Sequence, residues 1–309
     1  MRIARLFLAA TTLLVAPACT EVSTPEGGAE ADGGIAAPPP ADAGECRNVV
    51  DVVFVLDTSS SMGFVLDTLE ADITGVVDAA NGLAADAHFG LVVFQDNFKL
   101  DDSGDQGTVH TSAATLESAF AYYQSTFTDA DRNPGDGPSG PTTQNPLCEE
   151  NSLDALYAAA NDFPWRDQAT RVIILATDDT FLEEPDNYGD RDGDGDTTSP
   201  SFPSEGDYPA LRAMDETVAQ LKALDIRVFS FSRLQEPGPF DFTKCGTPRR
   251  LPWSSVSDGW STPYQGKAPI PEQTDGSNFD LDAVKGGQLE LAETISQVVV
   301  ESYCSPPVQ

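Results

Sequence analysis

Basic residues are scarce in this chain: 17 Lys and Arg stand against 50 Asp and Glu in 309 residues, a net charge of −33. Nucleic acids and anionic membranes are gripped by neutralising phosphates with Lys and Arg, so this balance argues against both as partners. Histidine is scarcer still. His88 stands at the start of an apolar run and His110 on an expected sheet edge. Neither belongs to H-E-x-x-H or to a Ser-nucleophile elbow, so protease and hydrolase schemes lack their parts. Glycine is not spaced as a dinucleotide or Walker phosphate loop after any strand-like run, which argues against nucleotide chemistry. The apolar stretch LFLAATTLLVA near the N-terminus is too short to span a membrane, which takes about 20 residues.

That stretch follows Arg2 and Arg5 and ends in Ala16-Pro17-Ala18, the layout of an export signal over residues 1–18. Cys19 directly after it resembles a bacterial lipobox, in which the cysteine becomes the acylated N-terminus. Pro17 and the lack of Leu three positions before Cys19 depart from that pattern. The expected location is the bacterial cell envelope, with Thr20 after the cysteine suiting the outer membrane. Residues 19–45 carry no apolar periodicity and are rich in Pro, Gly, Ala and acid, which reads as a lipidated cysteine and flexible tether. Loss of Arg2 and Arg5 leaves 15 basic residues against 50 acidic, a mature charge near −35.

Cysteine is sparse as well. Beyond Cys19 there remain Cys46, Cys148, Cys245 and Cys304, an even count that implies disulfides in an exported chain and allows three connectivities. Cys46 precedes the first strand-like run and Cys304 follows the last helical one, so Cys46–Cys304 is expected to tie the ends of a domain spanning 46–304. Cys148–Cys245 then follows by elimination, and 305–309 is a tail.

What the chain does have is DVVFVLDTSSSM, Asp51 to Met62. An apolar run of strand length stops in Asp57-x-Ser59-x-Ser61. In extended backbone, residues i, i+2 and i+4 project the same way, so one carboxylate and two hydroxyls can converge on one ion. Hard oxygen donors of this kind suit Mg²⁺ or Mn²⁺.

Further near-continuous apolar runs, 88–94, 171–177 and 227–232, look like parallel strands covered on both faces. Between them lie helical spacings: Leu66 to Leu83 with Gly82 marking the end, Leu116 to Tyr123, Leu153 to Ala160 with Asn151 or Ser152 as N-cap, and Leu211 to Leu221 entered through Pro209. Leu291 to Val299 closes the chain. A strand over 108–111 is expected at the sheet edge and another over 278–281. This alternation predicts an α/β fold, a doubly wound and mostly parallel six-stranded sheet with helices on both faces (Rossmann-like). Ligand sites of such folds lie at the carboxyl ends of strands, where Asp57 sits. Loops 126–149, 179–207 and 235–276 are long and polar, and are expected to decorate that same face.

Two more segments reach that face. RVIILATDD ends a strand in Thr177-Asp178-Asp179, and CEENSLDAL places Glu149 and Glu150 at a helix start. With these residues the chain resembles a von Willebrand factor type A domain carrying a metal-ion-dependent adhesion site, over residues 46–304. Asp57, Ser59 and Ser61 match that family's first motif, and Asp178 its third. The second motif, usually Thr, falls on Glu150, which resembles the integrin β-subunit version, as does DYPALRAM from Asp207 to Met214. Phe64 and Val65 replace the acidic pair of the adjacent integrin calcium site, so no such site is expected. The resemblance implies Ser59 and Ser61 as direct ligands of Mg²⁺ or Mn²⁺, Asp57 and Asp178 acting directly or through water, and one coordination place left for an acidic residue of a protein partner. With Glu150 as a third carboxylate, the ion is either a weaker acceptor for the partner or wholly structural.

Asp190-x-Asp192-x-Asp194-Gly195 resembles the start of a Ca²⁺ loop, but Ser201 stands where the loop's Glu belongs. A haloacid-dehalogenase-type phosphatase would need Asp two residues after Asp57, where Ser59 stands. The expectation is a non-enzymatic, surface-tethered, metal-dependent adhesion module. The alternative is a structural or assembly component in which ion and acidic loops only stabilise the fold.

Overall fold

The computed structural model describes residues 49–84, 86–95, 97–128, 136–137, 140–141, 149–184, 210–234 and 255–308. All belong to the compact unit Asp42–Gln309. Cys19, Cys46, Cys148, Cys245, the tether and Asp190, Asp192 and Asp194 lie outside the described residues.

In chain order the elements are β1 (Val49–Asp57), α1 (Gly63–Leu83), β2 (Ala87–Phe94), β3 (Phe98–Leu100), α2 (Ala113–Tyr123), β4 (Asp136–Gly137), β5 (Gly140–Pro141), α3 (Ser152–Asp162) and β6 (Ala169–Ala176). They continue with α4 (Met214–Ala223), β7 (Ile226–Ser232), α5 (Ile270–Gln273), β8 (Asn278–Asp280), α6 (Leu281–Lys285) and α7 (Leu291–Tyr303). Six strands form one sheet in the order β3-β2-β1-β6-β7-β8. Every neighbouring pair is parallel except the β2–β3 hairpin. The fold is the expected α/β class.

The continuous apolar runs make sense as strands buried on both sides. Along β1, Val50, Val52, Phe54 and Leu56 face a core built with α1, α2, α6 and α7. Val53 and Val55 face the opposite core, built with α3, α4 and the segment carrying Trp260, Tyr264 and Ile270. The chain runs outward from β1 through β2 to β3, then returns to the other side of β1 as β6. The order of strands therefore reverses between β1 and β6, and their carboxyl ends frame the crevice where doubly wound folds bind ligands.

Three details differ from expectation. The edge strand is β3, not 108–111. His110 instead pairs with Phe89 as an isolated antiparallel bridge nearer the start of β2, after the chain loops out through Gly107 at φ +75°. Leu211 is 54% exposed and precedes α4, which begins only at Met214. The region 255–273 is not surface decoration: Trp260 is fully buried, edge-on to Phe181 at 5.4 Å between ring centroids, and its Nε1–H donates to the Asp179 carbonyl at 3.0 Å. Aromatic burial of this size outweighs the polar character of the surrounding loop.

A buried polar cluster fixes the edge. Asp101 accepts from the Tyr123 hydroxyl at 2.9 Å and from the Ser103 hydroxyl at 2.6 Å, and His110 Nε2 lies 3.1 Å away. Burial pushes the Asp101 carboxyl up, but the contacts from His110, Ser103 and Tyr123 outweigh it and bring the pKa to about 2. A carboxyl held below its unfolded value adds stability above about pH 4, and that stability is lost as pH falls toward 2. The amount is about 2 kcal/mol. Urea unfolding of wild type and Asp101→Asn is expected to show a stability gap at pH 5 that narrows by about that amount at pH 2. A gap independent of pH refutes this account.

Candidate functional site

At the end of β1 the backbone N–H of Thr58 donates to the Phe94 carbonyl at 2.8 Å and its hydroxyl to the same oxygen at 3.0 Å. The loop is thereby stitched to the end of β2. The Ser59 N–H donates to Asp57 Oδ1 at 2.7 Å, a local side-chain turn that folds the next residues back over the carboxylate. A single 3₁₀ turn, Ser60–Met62, leads into α1. From below, the π-helical turn Gln124–Thr128 braces this loop, with the Thr128 hydroxyl donating to the Thr58 carbonyl at 3.1 Å. Gly63 permits that approach: a Cβ there would stand 3.2 Å from both the Gln124 and Thr128 side chains.

The consequence is convergence. Ser59 Oγ and Ser61 Oγ are 3.1 Å apart, the Ser61 hydroxyl donates to Asp178 Oδ1 at 3.1 Å, and the Thr177 hydroxyl donates to Asp57 Oδ2 at 3.1 Å. Asp57 and Asp178 are almost wholly buried, whereas Ser61 is exposed, so the cluster opens to solvent on its serine side. Burial and then the nearby Asp178 charge raise the Asp57 pKa to about 7, against the pull of the Ser59 and Thr177 hydrogen bonds.

Glu150 is buried at the same sheet end. Its N–H donates to the Thr180 carbonyl at 3.0 Å and its own carbonyl accepts from Leu182 N–H at 3.3 Å, while the Asn151 N–H donates to the Gln95 carbonyl at 3.0 Å. The backbone thus ties this arm both to the loop after β6 and to the end of β2.

Reading the sequence overlooked two members of the cluster. Thr177 was visible in the ATDD motif, but only the register of β1 on β6 sets its hydroxyl against Asp57. Arg233 directly follows β7, and its Nη1 lies 3.1 Å from Asp178 Oδ2 while its Nε lies 3.5 Å from Asp282 Oδ1 on α6. A basic residue at the carboxyl end of a buried strand, in so acidic a chain, was the available signal.

Among the described residues no group of three or more His, Cys, Asp or Glu side chains is placed to hold a metal ion. What converges here is two carboxylates with hydroxyls of Ser59, Ser61 and Thr177. These are hard oxygen donors in chemistry that fits Mg²⁺ or Mn²⁺. Cys304, at the C-cap of α7, is disulfide-bonded.

No family model and no curated protein matches the chain. Among solved structures it is similar to proximal thread matrix protein 1 from the mussel byssus in two crystal forms, at 14% and 12% identity and TM-scores of 0.42 and 0.41. These alignments cover 85% and 84% of this chain and 49% of the other, so the chain spans about half the length of the mussel protein. It is also similar to the conserved hypothetical protein BatB from Bacteroides thetaiotaomicron, at 16% identity and a TM-score of 0.39, covering 82% of this chain and 98% of that one. Likenesses of this size carry no argument about family or role.

In EDTA the stability of the wild type is expected to fall as pH rises from about 4 to 7, because folding holds a proton on Asp57 that the unfolded chain has released. Asp57→Asn is expected to flatten that slope to the part contributed by Asp154, whose carboxyl burial likewise raises to about 6, and to melt higher than wild type at pH 8 in EDTA. Thermal unfolding across this pH range is the check, and a lower melting point at pH 8 rejects the account.

Proposed function

We propose that this chain is a surface-tethered, non-enzymatic protein-binding module of the von Willebrand factor type A kind, whose docking site is centred on Mg²⁺ or Mn²⁺. The observation that carries the reading is the meeting of Asp57, Ser59, Ser61 and Asp178 within hydrogen-bond distance at the point where strand order reverses. Ser59 and Ser61 would hold the ion directly, and Asp57 and Asp178 directly or through water. Glu150, buried at the same sheet end but not grouped with the two aspartates, would supply a third arm only on closing toward the ion. A bound ion supplies a positive centre that an acidic side chain of the partner can complete. The exposed Ser61 side of the cluster leaves room for that approach. The lipidated Cys19 and the tether would hold the module at the cell envelope, and Ca²⁺ would bind, if anywhere else, at Asp190, Asp192 and Asp194.

The burial of Glu150 favours a second reading, in which its carboxylate closes the coordination sphere and the ion only stabilises the fold. Capture of envelope proteins by the immobilised chain separates the two. Mg²⁺-dependent, EDTA-sensitive capture that is lost in Asp57→Ala supports adhesion. Stabilisation by Mg²⁺ without any EDTA-sensitive capture supports the structural role, and a melting point indifferent to both reagents rejects a bound ion.

Cys46 is the proposed partner of Cys304, closing the domain's ends, with Cys148 joined to Cys245. Cys46→Ser is expected to free one thiol at Cys304, detectable by alkylation and peptide mapping, and to lower the melting temperature. A labelled Cys148 or Cys245 in its place refutes the pairing.

A further inference from the structure

We propose that Arg233 is a built-in counter-ion of this site, whose guanidinium balances Asp178 when no divalent ion is bound and sets the ion's affinity by competing with it. The inference rests on the metal-centred reading above but concerns a residue outside its ligand set. Both oxygens of Asp178 are committed: Oδ1 accepts from Ser61 and Oδ2 faces Arg233 Nη1 at 3.1 Å. Asp282 Oδ1 lies 3.5 Å from the Arg233 Nε, an ion pair without a hydrogen bond, and the arginine side chain is only 17% exposed. It is therefore packed into the rim of the cluster, beside the carboxylate that an ion would use.

A guanidinium cannot be deprotonated in a protein, so its charge at this point is permanent. Without an ion, it offsets one of two buried carboxylates that otherwise repel across adjacent strand ends. With an ion, it is a like charge beside a divalent centre. The ion must either take Asp178 from Arg233 or bind next to it, and either route weakens binding. The same residue thus keeps the empty site assembled and raises the cation concentration needed to fill it. The result is a site that responds to the outside ion level instead of staying permanently loaded.

The test is calorimetric titration of MgCl₂ and MnCl₂ into the mature chain as wild type, Arg233→Lys and Arg233→Gln, with the metal-free melting temperature of each. Arg233→Gln is expected to bind the ion about tenfold more tightly, or better, since a unit charge beside a divalent ion is worth at least that even in well-screened surroundings. Its metal-free melting point is expected to fall. Arg233→Lys keeps the charge and is expected to stay within a few-fold of wild type. Equal or weaker binding by Arg233→Gln overturns the inference and leaves the metal reading standing, whereas a wild type that binds no ion overturns the metal reading itself. One readout needs no variant: the Nε–Hε resonance of Arg233 in the wild type is expected to move as Mg²⁺ is added. A resonance unmoved at saturating ion overturns the inference even if Arg233→Gln does not fold.

Discussion

Two carboxylates stand at the carboxyl ends of adjacent buried strands, and the local structure is arranged around the charge they create. Asp57 is buried by the sheet it terminates, and Asp178 is brought beside it by the pairing of β1 with β6. Neither burial nor proximity favours two negative charges. The Ser59 amide and the Thr177 hydroxyl answer part of that cost at Asp57, and Ser61 and Arg233 answer part of it at Asp178. The remainder shows as an Asp57 pKa near 7. In the proposed reading a divalent cation completes this cluster, reaching it from the exposed Ser61 side.

The rest of the fold serves to hold these oxygens still. The loop after β1 is anchored to β2 by Thr58, braced from beneath by Thr128, and turned back by Ser59. The loop after β6 is pinned through Thr180 to Asp258 and through Asp179 to Trp260, whose ring is buried against Phe181. Glu150 is tied by backbone hydrogen bonds to the loop after β6, and Asn151 beside it to the end of β2. Site loops are thus fastened to both cores of the molecule.

Much of the fold was legible. Runs such as VVFVL and VIILA are apolar at every position, which only a strand covered on both faces tolerates, and the helical spacings between them made the parallel doubly wound sheet the natural solution. The edge was less legible, because Phe98–Leu100 and the residues around His110 are both short, and the strand that wins is the one joined to β2 by a tight hairpin. Leu211 has the right spacing for a helix face, yet the helix starts at Met214 and leaves it in solvent. Trp260 lay in a stretch rich in Ser, Gly and Pro, where composition hid a core anchor.

For the site, the chain's own order of residues determined the first motif, since Asp57, Ser59 and Ser61 are close neighbours and a short turn suffices to gather them. It determined as well the scarcity of positive charge that any cation there would relieve. That Asp178 reaches Ser61 across 117 positions, that Thr177 reaches Asp57, and that Arg233 reaches Asp178 were decided by tertiary structure alone. The physical reason is that strand register and order set which loop ends meet, and register is a property of packed strands, which no single segment carries within itself.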